Sequence, residues 1–182
     1  MEDEKLATHA KARKLFLKEW EDLGLHVIVL DGTADANTEA KRYENKMRAL
    51  DEQTLPRNAK TGLPQFDLAL IGVGDDGHVG SLYPNREEVL VDETGSWVLP
   101  VCMKDPPSIT LSLPLMRGAS QVVVAACGVS EKYPQGKSAG MKRAIVDEET
   151  LQSFPAVGLR GVATWVMDEA AASKLGPEYV AK

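Results

Sequence analysis

The segment Gly72-Val73-Gly74-Asp75-Asp76-Gly77-His78-Val79-Gly80-Ser81-Leu82-Tyr83-Pro84 concentrates residue types that do chemistry. Imidazole exchanges protons near neutral pH, so His78 is suited to general-base work on water. Asp76, two residues earlier, is placed to hold the ring in one tautomer, as a triad carboxylate does. It is equally placed to bond backbone amides near Gly77 in an Asx-turn, and both roles can hold at once. Asp75 reads as turn chemistry alone. Gly72, Gly74 and Gly77 let backbone approach a ligand closely. Their amides form a candidate nest for a substrate anion or a developing oxyanion. The stretch directly follows the apolar run Phe66-Asp67-Leu68-Ala69-Leu70-Ile71. A buried strand that empties into a glycine-rich turn is where α/β proteins place ligands.

Two nucleotide-binding readings fail on spacing. Gly72, Gly74 and Gly77 spell G-x-G-x-x-G, but the dinucleotide fingerprint opens a helix and has an acidic residue about 20 positions on. Here Pro84 and Asn85-Arg86-Glu87-Glu88 follow, and the run Trp97 to Val101 ends without an acid. Gly136-Lys137-Ser138 mimics the end of a P-loop, yet Glu131 stands where that motif needs glycine and Gly128 is too far back. Lys137 remains a candidate phosphate ligand, because it follows a strand and opens a helix whose amides could meet the same anion. Lys132 is the alternative.

These groups need elements to position them. Ala10 to Leu23 has helical spacing, with Leu15, Phe16, Trp20 and Leu23 on one face and Gly24 as C-cap. His26 to Leu30 reads as a short strand, with His26 structural; His9, near the helix start, reads as solvated. A second helix runs from about Ala36 to Leu50, and Pro56 to Pro64 is a polar connector to the Phe66 strand. Further strands are expected at Ser96–Val101, Ile109–Leu113, Gln121–Cys127 and Gly161–Met167, with Pro106-Pro107 a rigid turn. Lys137–Val146 is helical, and Asp168 caps a last, alanine-rich helix. Alternating strands and helices predict one α/β domain over 1–182, a doubly wound, mostly parallel Rossmann-like sheet flanked by helices.

The net charge of −6 disfavours nucleic acid and anionic membranes as partners. No apolar run is long enough to span a bilayer and no signal peptide stands at the start, so a cytoplasmic location is the default. Cys102 and Cys127, in or beside apolar runs, read as buried free thiols. No ligand spacing implies a metal, and no cofactor is expected.

The thirteen-residue stretch as a whole resembles the 6-phosphogluconolactonase signature G-x-G-x-D-G-H-x-x-S-L-F-P, with Tyr83 for phenylalanine. The neighbouring glucosamine-6-phosphate isomerase/deaminase family shares the D-G-H core. It carries a catalytic-histidine-assisting glutamate where this chain has Tyr83. The likeness continues through Tyr43, through Lys104-Asp105-Pro106-Pro107-Ser108-Ile109-Thr110-Leu111-Ser112-Leu113-Pro114, through Phe154-Pro155-Ala156, and through Thr164-Trp165-Val166-Met167-Asp168-Glu169-Ala170-Ala171.

The resemblance implies hydrolysis of a phosphorylated sugar lactone, 6-phosphoglucono-δ-lactone, by water activated at His78. It also equates Lys137 with the family's G-x-x-K-A lysine once Glu131 to Gly136 is taken as an insertion. Three departures stand out. The family's glycine-glycine-serine/threonine phosphate loop has no counterpart, and Asp3-Glu4-Lys5 reads as a remnant of its aspartate-glutamate-arginine motif. The arginine expected after Pro106-Pro107-x is absent, the chain reading Ser108-Ile109; Arg86 and Arg160 are candidate substitutes. The sheet is therefore expected to be incomplete in its N-terminal half, leaving an open edge through which self-association is possible. The alternatives are a catalytically weak sugar-phosphate-binding or interaction module and, third, an isomerase/deaminase.

Overall fold

The computed structural model describes residues 8–92, 94–129 and 136–179. Asp3-Glu4-Lys5, Glu131 and Lys132 lie outside the described residues.

Three strands, β1 (Leu68–Gly72), β4 (Gln121–Ala126) and β5 (Ala163–Met167), form a parallel sheet in the order β1-β4-β5. A separate antiparallel hairpin joins β2 (Val98–Val101) to β3 (Ser108–Leu111). The α/β alternation and the central place of β4 agree with the sequence reading; the split into two sheets was not legible there. Helix α1 comprises Thr8–Ala12, a π-helical turn Arg13–Leu17 and Lys18–Glu21. The others are α2 (Ala36–Arg48), α3 (Leu113–Arg117), α4 (Ser138–Ile145) and α5 (Glu169–Ala172).

Side chains alternate across a strand, so each face of the parallel sheet has its own fate. Ile71, Val122, Val124 and Ala126 are buried with Met141 and Ala144 of α4, Ala171 of α5, and Phe154, Ala156 and Leu159 of the turn after α4. On the opposite face Leu70 is 74% exposed and Val166 54% exposed. Among the described residues β1 has β4 as its only ladder partner, so its other edge is open.

A second core lies between α2 and the hairpin, built from Ala40, Met47, Leu55, Leu63, Trp97, Val98 and Leu115. Polar groups fix its geometry. Glu44 accepts the amides of Trp97 and Val98 at 2.9 and 3.1 Å, while the Arg48 guanidinium lies 3.6 Å from the Trp97 ring centroid. Glu39 is buried at the start of α2, where it accepts the Asp31 amide, the Thr33 amide and the Thr33 hydroxyl. Burial pushes the Glu39 carboxyl up, but these hydrogen bonds outweigh it and hold it below the ordinary glutamate range.

Residues 26–30 correct the sequence reading. They form no strand, and among the described residues no strand pairs with them. Their carbonyls are served by α2 instead: Tyr43 Oη donates to Ile28 O at 3.4 Å, and Lys46 Nζ donates to Val29 O at 2.8 Å. His26 is exposed rather than built into a sheet. Helix α1 holds its C-cap, with Gly24 at φ +97. Its apolar residues Leu15, Phe16, Trp20 and Leu23 stay exposed. Both cysteines are also exposed, not buried, since each stands just past the strand whose apolar run suggested burial.

Leu115 is fully buried in the second core. Leu115→Ala is expected to lower unfolding free energy by about 2–5 kcal/mol in urea denaturation. An unchanged midpoint would contradict the packing of α2 on the hairpin.

Candidate active site

β1 ends at Gly72, and the chain then winds into a closed loop rather than a helix. The Gly74 amide donates to His78 O at 2.9 Å, the Gly77 amide to Gly74 O at 3.0 Å and the Leu82 amide to Val79 O at 2.9 Å. Val79 and Leu82 are fully buried and anchor the loop in the first core. Two glycines are required here by contact. Gly77 has φ +85, and a Cβ on it would stand 2.5 Å from the Phe154 ring. A Cβ on Gly74 would stand 2.2 Å from His78 Cε1 and Nδ1. Of the amides offered for a nest, those of Gly74 and Gly77 close the loop on itself.

Asp76 and His78 are brought together as the sequence suggested. Asp76 Oδ1 lies 2.6 Å from His78 Nδ1 and accepts the His78 amide at 3.1 Å. The Asx-turn and the ring contact thus coexist on one oxygen. Burial pushes the Asp76 carboxyl up, but hydrogen bonds from the His78 amide and ring overcome it, leaving Asp76 below the ordinary aspartate range. Tyr83 packs against the imidazole, with centroids 4.6 Å apart.

The floor of the loop comes from Phe154-Pro155-Ala156. Phe154 is fully buried under Gly77, and the Ala156 amide donates to Gly77 O at 2.9 Å. The Arg143 guanidinium caps the other ring contact, 4.3 Å from the Phe154 centroid. Sequence reasoning noted this tripeptide without its role; an aromatic followed by proline, apart from any periodic element, was the available signal.

The candidate cations have different fates. Lys137 immediately precedes α4 and reaches back to Val73 O at 2.5 Å, so its charge stands at the same loop as His78. Arg86 pairs with Glu88 at 3.5 Å on an exposed turn. Arg160 is a structural staple: its guanidinium donates to the carbonyls of Ala144, Arg143 and Asp147 at the end of α4. Asp168 caps α5 through the Ala171 amide at 2.7 Å, and its two oxygens accept the Gly128 amide at 2.8 and 2.9 Å. These hydrogen bonds, that from Gly128 above all, hold its carboxyl below the usual range.

A groove of about 530 Å³ runs along the open edge of β1, lined by Leu68, Leu70, Gly72, Gly80, Ser81 and Thr110 among others. A larger cleft of about 680 Å³, bordered by Asn58, Leu90 and Arg117, shares no residue with the His78 loop. The aspartate–histidine pair lies at the loop, whereas Asp92 and Arg117 are charged groups lining the larger cleft.

A parallel sheet with an aspartate–histidine pair in the loop at its carboxyl end is an arrangement of the Rossmann-like α/β class, in which ligand sites lie at that end. The family profile of glucosamine-6-phosphate isomerases/6-phosphogluconolactonase matches residues 2–165, and the chain belongs to that family. It is 34% identical over 158 residues to probable 6-phosphogluconolactonase 1 of Arabidopsis thaliana, covering 82% of this chain and 57% of the relative. To the 6-phosphogluconolactonase of Rattus norvegicus it is 34% identical, covering 84% of this chain and 55% of the relative. The chain thus spans little more than half the length of these relatives. The fold is similar to 6-phosphogluconolactonase from Leishmania guyanensis (TM-score 0.70, 23% identity, 97% of this chain and 71% of that one). It is also similar to a monomeric glucosamine-6-phosphate deaminase (TM-score 0.65, 19% identity, 94% and 69%).

Gly77→Ala is expected to destabilise the protein by about 1–3 kcal/mol, since its methyl would press into the Phe154 ring. Chemical denaturation checks this, and wild-type stability would refute the seat described. Asp76 supplies a pH test. Its folded pKa is depressed, so its contribution is complete above the ordinary aspartate value and is lost as pH falls through the folded value. The stability gap between wild type and Asp76→Asn should therefore shrink as pH falls from about 5 through the folded value. A gap that widened over that range would reverse the assignment.

Proposed function

We propose that this chain hydrolyses a phosphorylated sugar lactone, 6-phosphoglucono-δ-lactone, with His78 as general base. The observation that carries this reading is the 2.6 Å contact between Asp76 Oδ1 and His78 Nδ1. An ionised carboxylate only accepts, so Nδ1 carries the hydrogen and Nε2 is left as the basic nitrogen of the neutral ring. In the proposed step Nε2 takes a proton from water as its oxygen attacks the lactone carbonyl. The tetrahedral intermediate then collapses, the ring C–O bond breaks, and the proton passes to the leaving alkoxide. Asp76 steadies the imidazolium formed in between.

Lys137 is the candidate for holding the substrate's negative charge near the loop. Family membership, together with relatives named as 6-phosphogluconolactonases, supports the substrate class. The isomerase/deaminase reading is weaker. Tyr83, not a carboxylate, packs against the His78 ring, and among the described residues Asp76 is the one acid bonded to that ring.

The test is lactone hydrolysis above the spontaneous rate. The wild-type chain should accelerate it, and a folded His78→Ala variant should lose about 100- to 10,000-fold. A folded wild-type chain with no rate above background would overturn the reading.

A further inference from the structure

The His78 loop does not stand alone: strand β3 of the hairpin is fastened to it. The Ser81 amide donates to Thr110 Oγ1 at 3.0 Å, and Ser108 Oγ lies 3.4 Å from Ser81 Oγ. Lys104, on the turn between β2 and β3, comes close to Tyr83. The Lys104 ammonium lies 5.8 Å from the Tyr83 ring centroid, on a ring whose own centroid is 4.6 Å from that of His78. The Tyr83 ring is thus a shared neighbour of the imidazole and the ammonium.

Two of the candidate cations are already engaged: Arg86 faces Glu88, and Arg160 is spent on three helix carbonyls. Lys137 stands on the Val73 side of the loop, bonded to Val73 O. Lys104 forms no salt bridge with any described carboxylate, its neighbour Asp105 included, and its side chain is exposed to an incoming anion. The arginine that the family resemblance leads one to expect after Pro106-Pro107 is absent, and Ser108 is occupied with Ser81. A lysine on the same turn meets the chemical requirement as a point charge, where arginine would act as a bidentate fork.

We propose that Lys104, over the Tyr83 ring, forms an anion subsite that binds the substrate phosphate beside the His78 loop. The inference rests on the phosphorylated-lactone reading given above and names the group that recognises the phosphate.

The test is equilibrium binding of 6-phosphogluconate and of unphosphorylated gluconate to the folded chain by titration calorimetry, which needs no turnover. Lys104→Gln should weaken 6-phosphogluconate binding about tenfold or more and leave gluconate unaffected. Lys104→Arg should retain most of the affinity, and Lys174→Gln, at a distant exposed lysine, should change nothing. Tight 6-phosphogluconate binding with equal affinity for wild type and Lys104→Gln would overturn the subsite and leave the lactonase reading intact. No 6-phosphogluconate binding by the folded wild type would overturn both. Lys104-dependent binding without hydrolysis would uphold the subsite and overturn the catalytic reading alone.

Discussion

A residue without a side chain resting on an aromatic ring sets the geometry of this site. Gly77 sits against Phe154, and the distance a Cβ would have there, 2.5 Å, leaves room for no other residue. With Gly77 seated, its carbonyl accepts the Ala156 amide and its own amide closes onto Gly74. The turn is then tight enough for Asp76 to reach the His78 amide and ring with one oxygen. The histidine's orientation thus depends on packing several segments away. Phe154 is itself held by the first core and by Arg143, so the site inherits the rigidity of the sheet's covered face.

Elsewhere the same economy recurs: single polar side chains join segments that share no ladder. Asp168 links the start of α5 to the chain leaving β4. Arg160 ties the chain entering β5 to the last turn of α4, and Glu44 binds α2 to the hairpin. Each satisfies backbone groups that would otherwise be left without a partner at an element's end. Asp168 and Arg160 do this around the first core and Glu44 around the second.

The parts legible in the sequence were those decided by local chemistry. Asp76 and His78 stand two apart in a turn, and Asp168 precedes a helix with its acceptor ready; no distant residue is needed to bring either arrangement about. The strands β1, β4 and β5 were legible because their apolar runs are continuous. Residues 26–30 were misread because a β-branched run becomes a strand only beside a partner, and α2 met its carbonyls first. That the Gly74 and Gly77 amides close the loop is not legible in the sequence, because composition does not encode which way an N–H faces. The placement of Lys104 beside Tyr83 depends on a hairpin turn folding back across the loop, a long-range event that spacing alone does not specify.

The three tryptophans fall one to each structural region. Trp97 is buried between α2 and the hairpin, against Arg48; Trp165 lies partly buried on β5; and Trp20 is 56% exposed on α1. The molecule therefore carries its own spectroscopic labels. With two of the indoles replaced, the emission maximum of the third reports one region at a time, because its solvent exposure differs from the others. Melting of α1, of the α2–hairpin layer and of the parallel sheet can then be followed separately, and their order would distinguish one cooperative unit from several.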